Sequence, residues 1–192
     1  MDPETKSQAA DAASEHPHQE EVRWERWDKD RYFVRALVGK YGEVYKKILA
    51  QPRVYKSKNW KWKGGPAQFG KSIINPHSLE ITQMIECHIE AYAPGGRSQK
   101  HGHMNSAVFY ILDGKGYDVH DGKRYDWEAG DVCIVENASV HQHFNSDPNK
   151  PGRVLVMKAK PLFLFAHMIY QKMVEYPPTE LAPGQEPFIP VD

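Results

Sequence analysis

The sequence predicts an all-β domain, a sandwich or a barrel of short antiparallel strands. From Leu79 onward, apolar and polar residues alternate, as they do along a strand that is buried on one face. Turn-forming breaks then follow at short intervals, which is typical of a meander; they are Pro94-Gly95-Gly96, Asp113-Gly114, Asp121-Gly122, Ala129-Gly130 and Ser146-Asp147-Pro148. Asp121-Gly122 stands between two strand-like runs and is a strong hairpin signal.

The N-terminal part is expected to lie outside this domain. Residues 1–20 show no apolar periodicity and predict a disordered tail, because they cannot bury enough surface to offset the entropy of ordering. From Asp30 to Ile48 apolar residues recur every three or four positions, which predicts an amphipathic helix that ends before Pro52. Residues 21–78 are therefore predicted to be a helical and basic-aromatic extension packed on the barrel.

The segment 53–71 alternates lysines with Tyr55, Trp60 and Trp62 and has two interpretations. Such a pattern can stack single-stranded bases. It is also typical of a strand or loop whose tryptophans cover a sheet while the lysines stay in water, and we prefer this second interpretation.

The barrel is expected over residues 79–160. Pro161 can begin a helix, because Leu162, Phe165, Ile169 and Met173 would form one apolar stripe along it, so we expect a C-terminal helix over residues 161–176. Residues 177–192 contain five prolines and predict an extended tail.

Composition narrows the classes of function. The chain has 192 residues, with 25 Lys and Arg against 25 Asp and Glu. A net charge of zero gives no long-range attraction to nucleic acid or to anionic membranes, and we expect neither as a partner. No apolar run is long enough to cross a bilayer and the first residues do not resemble a signal peptide, so a cytoplasmic location is expected. The two cysteines, Cys87 and Cys133, are interpreted as packing residues.

Two histidine pairs carry the candidate chemistry. His101 and His103 are separated by one residue, so on a strand both side chains lie on the same face. His141 and His143 repeat the arrangement forty residues later. If the two segments are neighbours in one barrel, three or four imidazoles converge. Such a set suits a borderline divalent metal such as iron, copper, nickel, zinc or manganese.

These residues resemble the two motifs of the cupin superfamily. Gly95, His101, His103 and Gly114 are in register with the first motif, and Gly130, His141 and Asn145 with the second. The resemblance covers residues 79–160. It implies a single cupin barrel, a double-stranded β-helix or jelly roll, here with flanking N-terminal and C-terminal helices. It also implies that His101, His103 and His141 are metal ligands.

Three positions depart from the cupin pattern. Glu136 replaces a proline and Ala138 a glycine, and neither change removes a ligand. Ala107, however, stands where the family has its metal-binding glutamate. His143 is an additional histidine, either a fourth ligand or a group behind the ligands. Glu86 or Glu90, on the strand before the first motif, could also supply a carboxylate.

The missing glutamate favours an oxygenase. Three neutral imidazoles leave a divalent ion its full charge, so anionic chelators are favoured, and an octahedral iron keeps positions for two substrate oxygens and dioxygen. Cupins with three histidines at iron include ring-cleaving, diketone-cleaving and thiol dioxygenases. The resemblance thus implies Fe(II), with Zn, Mn, Ni and Cu as alternatives. The pocket candidates are Asn105, Ala107, Phe109 and Asn145, and an aromatic or enolisable small molecule would fit them.

Two other functions remain open from the sequence. One is a metal-dependent lyase, isomerase or decarboxylase in which the ion acts as a Lewis acid. The other is a cupin that binds a small molecule without catalysis. Because cupin barrels leave sheet edges and apolar faces, a homodimer is expected in each case.

Overall fold

The computed structural model describes Lys46 and residues 49–75, 84–181, 183–184 and 186–191. Residues 50–192 form one compact unit, and the description below concerns this unit. The disordered tail expected over residues 1–20 and most of the helix expected from Asp30 lie outside the described residues.

The unit is built almost entirely from strands. In chain order they are β1 (Lys63–Gly64), β2 (Gln68–Ile74), β3 (Glu86–Tyr92), β4 (Lys100–His103), β5 (Ala107–Asp113), β6 (Lys115–His120), β7 (Lys123–Glu128), β8 (Val132–Val135), β9 (Val140–Asn145), β10 (Gly152–Lys158) and β11 (Gln171–Glu175). A 3-10 turn at Ser57–Asn59 precedes them, and a short helix, α1 (Lys160–Phe165), lies between β10 and β11. The all-β prediction is confirmed.

The strands form two antiparallel sheets. One has six strands in the order β1-β2-β3-β10-β5-β8, and the other has five in the order β11-β4-β9-β6-β7. The hairpin predicted at Asp121-Gly122 joins β6 to β7, with His120 paired to Lys123. Both turn residues have positive φ, 47° for Asp121 and 84° for Gly122, as a two-residue hairpin turn requires.

The core lies between the sheets and follows the alternation of the strands. On β5 the inward positions Ala107, Phe109 and Ile111 are buried, and the outward Tyr110 is exposed. These side chains belong to one apolar cluster: Tyr92, Ala107, Phe109, Ile111, Trp127, Val135, Val154 and Val156. Cys133 packs against this cluster, and both cysteines are free thiols.

The two ends of the barrel differ from the sequence prediction. The helix expected over residues 161–176 ends at Phe165, and residues 171–175 form β11, which pairs with β4. That prediction is wrong for most of its length. The last of the apolar residues that suggested a helical stripe is Met173. Its neighbours on β11, Lys172 and Val174, are exposed. No helix in the described ranges is long and apolar enough to cross a membrane.

The basic-aromatic segment also enters the barrel. β2 pairs with β3 over Gln68 to Ile74, so this strand extends the six-stranded sheet beyond the range expected for it. Lys71, expected to stay in water, is 1 % exposed. Its Nζ lies 4.7 Å from the ring centroid of Trp62 and 3.4 Å from Ser57 Oγ. A cation–π contact of this kind explains how the sheet accommodates the ammonium group.

Gly116 is expected to be essential for the packing of β6 between β7 and β9. A Cβ here would collide with the carbonyl oxygen of Phe144 and would lie 2.5 Å from the indole of Trp127. Gly116→Ala should therefore lower the free energy of unfolding by about 3 kcal/mol, through overpacking. The measurement is a urea unfolding curve.

Gly70→Ala provides the matched control for this prediction. A Cβ at Gly70 meets nothing within 4 Å, so the variant should change stability by less than about 1 kcal/mol. Equal urea midpoints for the two variants would contradict the packing described here.

Candidate metal centre

Three buried histidines meet between the sheets. β4 pairs with β9 so that His101 lies directly opposite His141, and His103 shares the inward face of β4. One ring nitrogen from each of the three lies within 4.8 Å of those of the other two. In the described part of the chain, no other group of three or more His, Cys, Asp or Glu residues has this geometry. The alternation of the strands thus brings together the three histidines that the sequence singled out.

Backbone carbonyls orient two of these rings. His103 Nδ1 donates to the carbonyl oxygen of Asn105 over 2.6 Å, and His141 Nδ1 donates to that of Ser139 over 3.1 Å. A carbonyl only accepts, so in each ring the proton is on Nδ1 and the lone pair is on Nε2. This is the tautomer and the supporting contact that metal-binding histidines ordinarily have.

All three histidines are held neutral. Burial, with the neighbouring His103 and His143, lowers the pKa of His101 to about 3. Burial, with the ammonium of Lys158, lowers that of His103 to about 4. Burial, with His143 and His101, lowers the pKa of His141 to about 2. Imidazoles with these pKa values keep their lone pairs at neutral pH, as metal binding requires.

The donor set fits a borderline divalent metal. His101 Nδ1 is buried and has no hydrogen-bond partner among the described residues, so one ligand residue carries an unsatisfied polar atom. Three neutral nitrogen donors suit iron, zinc, copper or nickel better than calcium or magnesium. Ala107, at the position of the family's glutamate, brings no oxygen donor.

His143 lies beside the cluster and is held by an acid. Its ring centroid is 5.4 Å from that of His141 and 4.4 Å from that of Phe109. Its Nδ1 lies 2.9 Å from Asp118 Oδ1, on the neighbouring strand β6. The carboxylate therefore fixes this ring at the wall of the site, outside the group of three.

Asp118 is the centre of a buried polar network that the sequence interpretation missed. It is 2 % exposed, and its Oδ1 also accepts a hydrogen bond from Trp127 Nε1 over 2.8 Å. His120 Nε2 lies 3.5 Å from Asp118 Oδ2, and His120 Nδ1 donates to Glu136 over 2.7 Å. Burial would raise the pKa of Asp118, but the charge of His143 and these hydrogen bonds hold it well below its usual value. The carboxylate stays ionised and keeps His143 in place.

Glu90 closes the opposite wall and is already fully engaged. Its carboxylate accepts hydrogen bonds from Gln68 Nε2 over 2.8 Å, Tyr92 OH over 2.5 Å and His88 Nε2 over 3.0 Å. Burial would raise its pKa, but the hydrogen bond and charge of His88 hold it well below the ordinary value. Neither Glu90 nor Glu86 belongs to the three-histidine group.

The histidines line a small cavity. Its volume is about 30 Å³, room for roughly two water molecules. The lining consists of Gln68, Glu90, Gln99, His101, His103, Ala107, Phe109, His141, His143, Val156 and Lys158. Ala107 and Phe109, expected in the pocket from strand parity, are among them.

The two asparagines expected in the pocket lie elsewhere. The side-chain amide of Asn105 donates to Ser106, and the residue contributes its backbone carbonyl to His103. Asn145 Nδ2 donates to the carbonyl oxygens of Ala93 and Lys150, over 2.9 and 2.8 Å, so its amide ties two loops together. These hydrogen bonds give Asn145 a structural role.

The sequence interpretation missed three polar residues of the lining, Gln68, Gln99 and Lys158, and also the buried Asp118 that holds His143. Gln68 and Lys158 come from β2 and β10, and their positions depend on pairing with β3. Asp118 could have been found from parity, because Gly116, Asp118 and His120 alternate on the buried face of β6. Gln99 directly precedes β4, and no pattern in the sequence marks it.

Glu90 provides a test of the buried network. Glu90→Gln should lower the free energy of unfolding of the metal-free protein by about 2 kcal/mol at neutral pH, because an amide cannot accept three hydrogen bonds from these donors. The folded pKa of Glu90 lies below its ordinary value of 4.5, so the unfolded chain binds the proton first as the pH falls. The stabilisation is complete above about pH 5.5, begins to be lost as the pH falls through the unfolded value, and continues to be lost until the pH falls through the lower folded pKa.

The stability difference between wild type and Glu90→Gln should therefore narrow on acidification. Urea unfolding curves between about pH 7 and pH 3.5 measure it. The exposed Glu128→Gln is the control and should show little difference at either pH. A constant difference for Glu90→Gln across this range would show that its carboxylate is not stabilised as described.

Comparisons with known proteins agree with this architecture. Residues 88–158 match the family model described as Cupin domain. A segment of 63 residues is 32% identical to 5-aminosalicylate 1,2-dioxygenase from Comamonas sp; it makes up 33% of this chain and 17% of that relative. The chain thus spans less than a fifth of the length of this curated relative.

Solved structures with the same fold include salicylate 1,2-dioxygenase from Pseudaminobacter salicylatoxidans. It aligns with a TM-score of 0.52 at 18% identity, over 79% of this chain and 38% of that one. A variant of this enzyme in complex with gentisate aligns with the same TM-score at 16% identity, over 79% of this chain and 36% of that one. Identities this low show the fold alone. Residues 88–158 therefore match the cupin domain, and the two-sheet barrel built around them has the cupin fold.

Proposed function

We propose that this domain is a non-haem iron(II) dioxygenase. Its substrate would be a small aromatic or enolisable molecule that binds the metal through two oxygens. The observation that carries the proposal is the group of three buried, neutral histidines with no carboxylate among them. The fold shared with aromatic-ring dioxygenases supports it.

The chain's own residues would bind the metal and position the substrate. His101, His103 and His141 would hold the ion, with the rings of His103 and His141 fixed by backbone carbonyls. Bound iron would supply the activation of dioxygen and of the chelated substrate. Because the three histidines are neutral, the ion would keep its full charge, and the substrate would lose its proton on binding without a separate general base.

The cavity wall would orient the substrate. Phe109 presents an apolar surface, and Asp118 keeps the ring of His143 against it. The cavity, of about 30 Å³, is small, so enolisable substrates with few atoms belong in the assay beside aromatic ones.

Iron loading and oxygen consumption test the proposal together. Tag-free protein loaded anaerobically with Fe(II) should hold about one iron per chain, since the three nitrogens form one site. It should then consume oxygen with at least one of catechol, gentisate, salicylate, 2-hydroxyacetophenone and a 1,3-diketone. His101→Ala should lose both the iron and the oxygen uptake, as measured by elemental analysis and an oxygen electrode.

His167→Asn is the control for this experiment, because His167 is exposed and asparagine tolerates its φ of 55°. It should keep both properties. Iron-loaded protein that consumes no oxygen with any of these compounds would refute the dioxygenase. Turnover without oxygen would assign the Lewis-acid lyase class instead.

We also propose that the domain is a homodimer. Apolar side chains are exposed on the outer face of the six-stranded sheet, among them Val132 at 61% and Ile134 at 64%, next to Tyr110. Burying such a face between two copies removes it from water. Sedimentation should give twice the mass of the chain, and a monomer at micromolar concentration would contradict the proposal.

A further inference from the structure

Lys158 places a positive charge at the wall of the candidate metal centre. It is the last residue of β10, the strand between β3 and β5. In register it is paired with Glu86 on one side and with Ala107 on the other. Lys158 and Ala107 both line the cavity with the three histidines, and the Lys158 side chain is only 18% exposed.

Ala107 makes this position of the lysine significant. The cupin pattern has a metal-binding glutamate where this chain has Ala107, so a carboxylate there would stand directly across from Lys158 and neutralise it. With alanine, the neighbouring strand offers neither a charge nor a side chain long enough to fill the space. A bound divalent ion and the ammonium group of Lys158 would then both place positive charge beside the same small cavity.

The nearby carboxylates do not satisfy this ammonium group. In the described part of the chain its ion-pair partner is Glu86, with Nζ 3.7 Å from Oε1, which is longer than a hydrogen bond. Glu86 Oε1 lies equally close to His88 Nδ1, at 3.7 Å. Glu90 accepts three hydrogen bonds from other residues. Lys158 therefore keeps donors for a ligand.

The field of Lys158 reaches the histidines. Its ammonium group contributes, after burial, to lowering the pKa of His103, and it also contributes to lowering that of His101.

We propose that Lys158 is a specificity-determining residue that binds a carboxylate of the chelating substrate. The domain then selects oxygen chelators that carry a carboxylate over neutral chelators of the same shape. The proposal rests on the function proposed above, because it assumes that the three histidines hold a metal. One carboxylate oxygen and a second substrate oxygen bind the ion, and the other carboxylate oxygen accepts a hydrogen bond from Nζ.

Two probes of nearly equal shape separate charge recognition from chelation. Salicylate presents a carboxylate and a hydroxyl group, and salicylamide replaces the carboxylate by a neutral amide. The protein is loaded with Co(II), whose visible spectrum reports coordination without oxygen chemistry. Calorimetry then measures the affinity of each probe for wild type and for Lys158→Met. The control is Lys115→Met, which likewise removes one lysine charge, but at an exposed position.

Lys158→Met should bind Co(II) with unchanged stoichiometry and spectrum. It should bind salicylate about tenfold more weakly, as expected for the loss of one charge-assisted hydrogen bond, while its affinity for salicylamide changes little. Lys115→Met should behave like wild type with both probes. Equal weakening for both probes, or no change for salicylate, would overturn the proposal.

A second variant gives the opposite sign and does not depend on the folding of Lys158→Met. Glu86→Gln removes the carboxylate that competes for Nζ, so it should bind salicylate severalfold more tightly than wild type. If Lys158 has only a structural role, the affinity of Glu86→Gln for salicylate would equal that of wild type or be lower. If wild type fails to take up Co(II), the metal centre itself is refuted, and with it the role of Lys158. Normal Co(II) uptake without charge selectivity refutes Lys158 alone.

Discussion

The pairing of β4 with β9 is the constraint on which the candidate centre depends. Only two residue pairs join these strands, His101 with His141 and Gly102 with Val140. They nevertheless bring together histidines that are forty residues apart in the chain. A shift of one residue in this register would turn His101 and His103 away from His141. Gly102 permits the close pairing of these strands, because a Cβ there would lie 3.1 Å from the carbonyl oxygen of Ser139.

Much of the fold and the histidine group could be predicted from the sequence because both depend on alternation along strands. Parity alone predicts that His101 and His103 share a face, and that Ala107, Phe109 and Ile111 are buried. The motif spacing then indicates which distant histidine joins them. Even the departure at Ala138 has a physical meaning: its φ is 65°, a conformation for which the family's glycine is better suited.

The remaining features depend on contacts between strands that a sequence pattern does not specify. Lys158 enters the site because β10 lies between β3 and β5, an order that no local signal predicts. Asp118 reaches His143 through the pairing of β6 with β9, whereas the Asp121-Gly122 turn determines only the pairing of β6 with β7. The prediction of a long C-terminal helix is wrong because a few apolar residues fit two arrangements equally well. One is a helical stripe, and the other is the observed short helix followed by β11.

β11 gives the barrel a boundary that differs from that of the matched family segment. This strand, residues 171–175, borders β4 on the side away from β9, and β1 and β2 likewise precede residue 88. A recombinant fragment cut at residues 88 and 158 would therefore leave β4, with two of the three histidines, as an open edge. Because the buried Lys71 of β2 contacts Ser57 and Trp62, the smallest unit suitable for grafting or shuffling in protein engineering extends from residue 57 to residue 175.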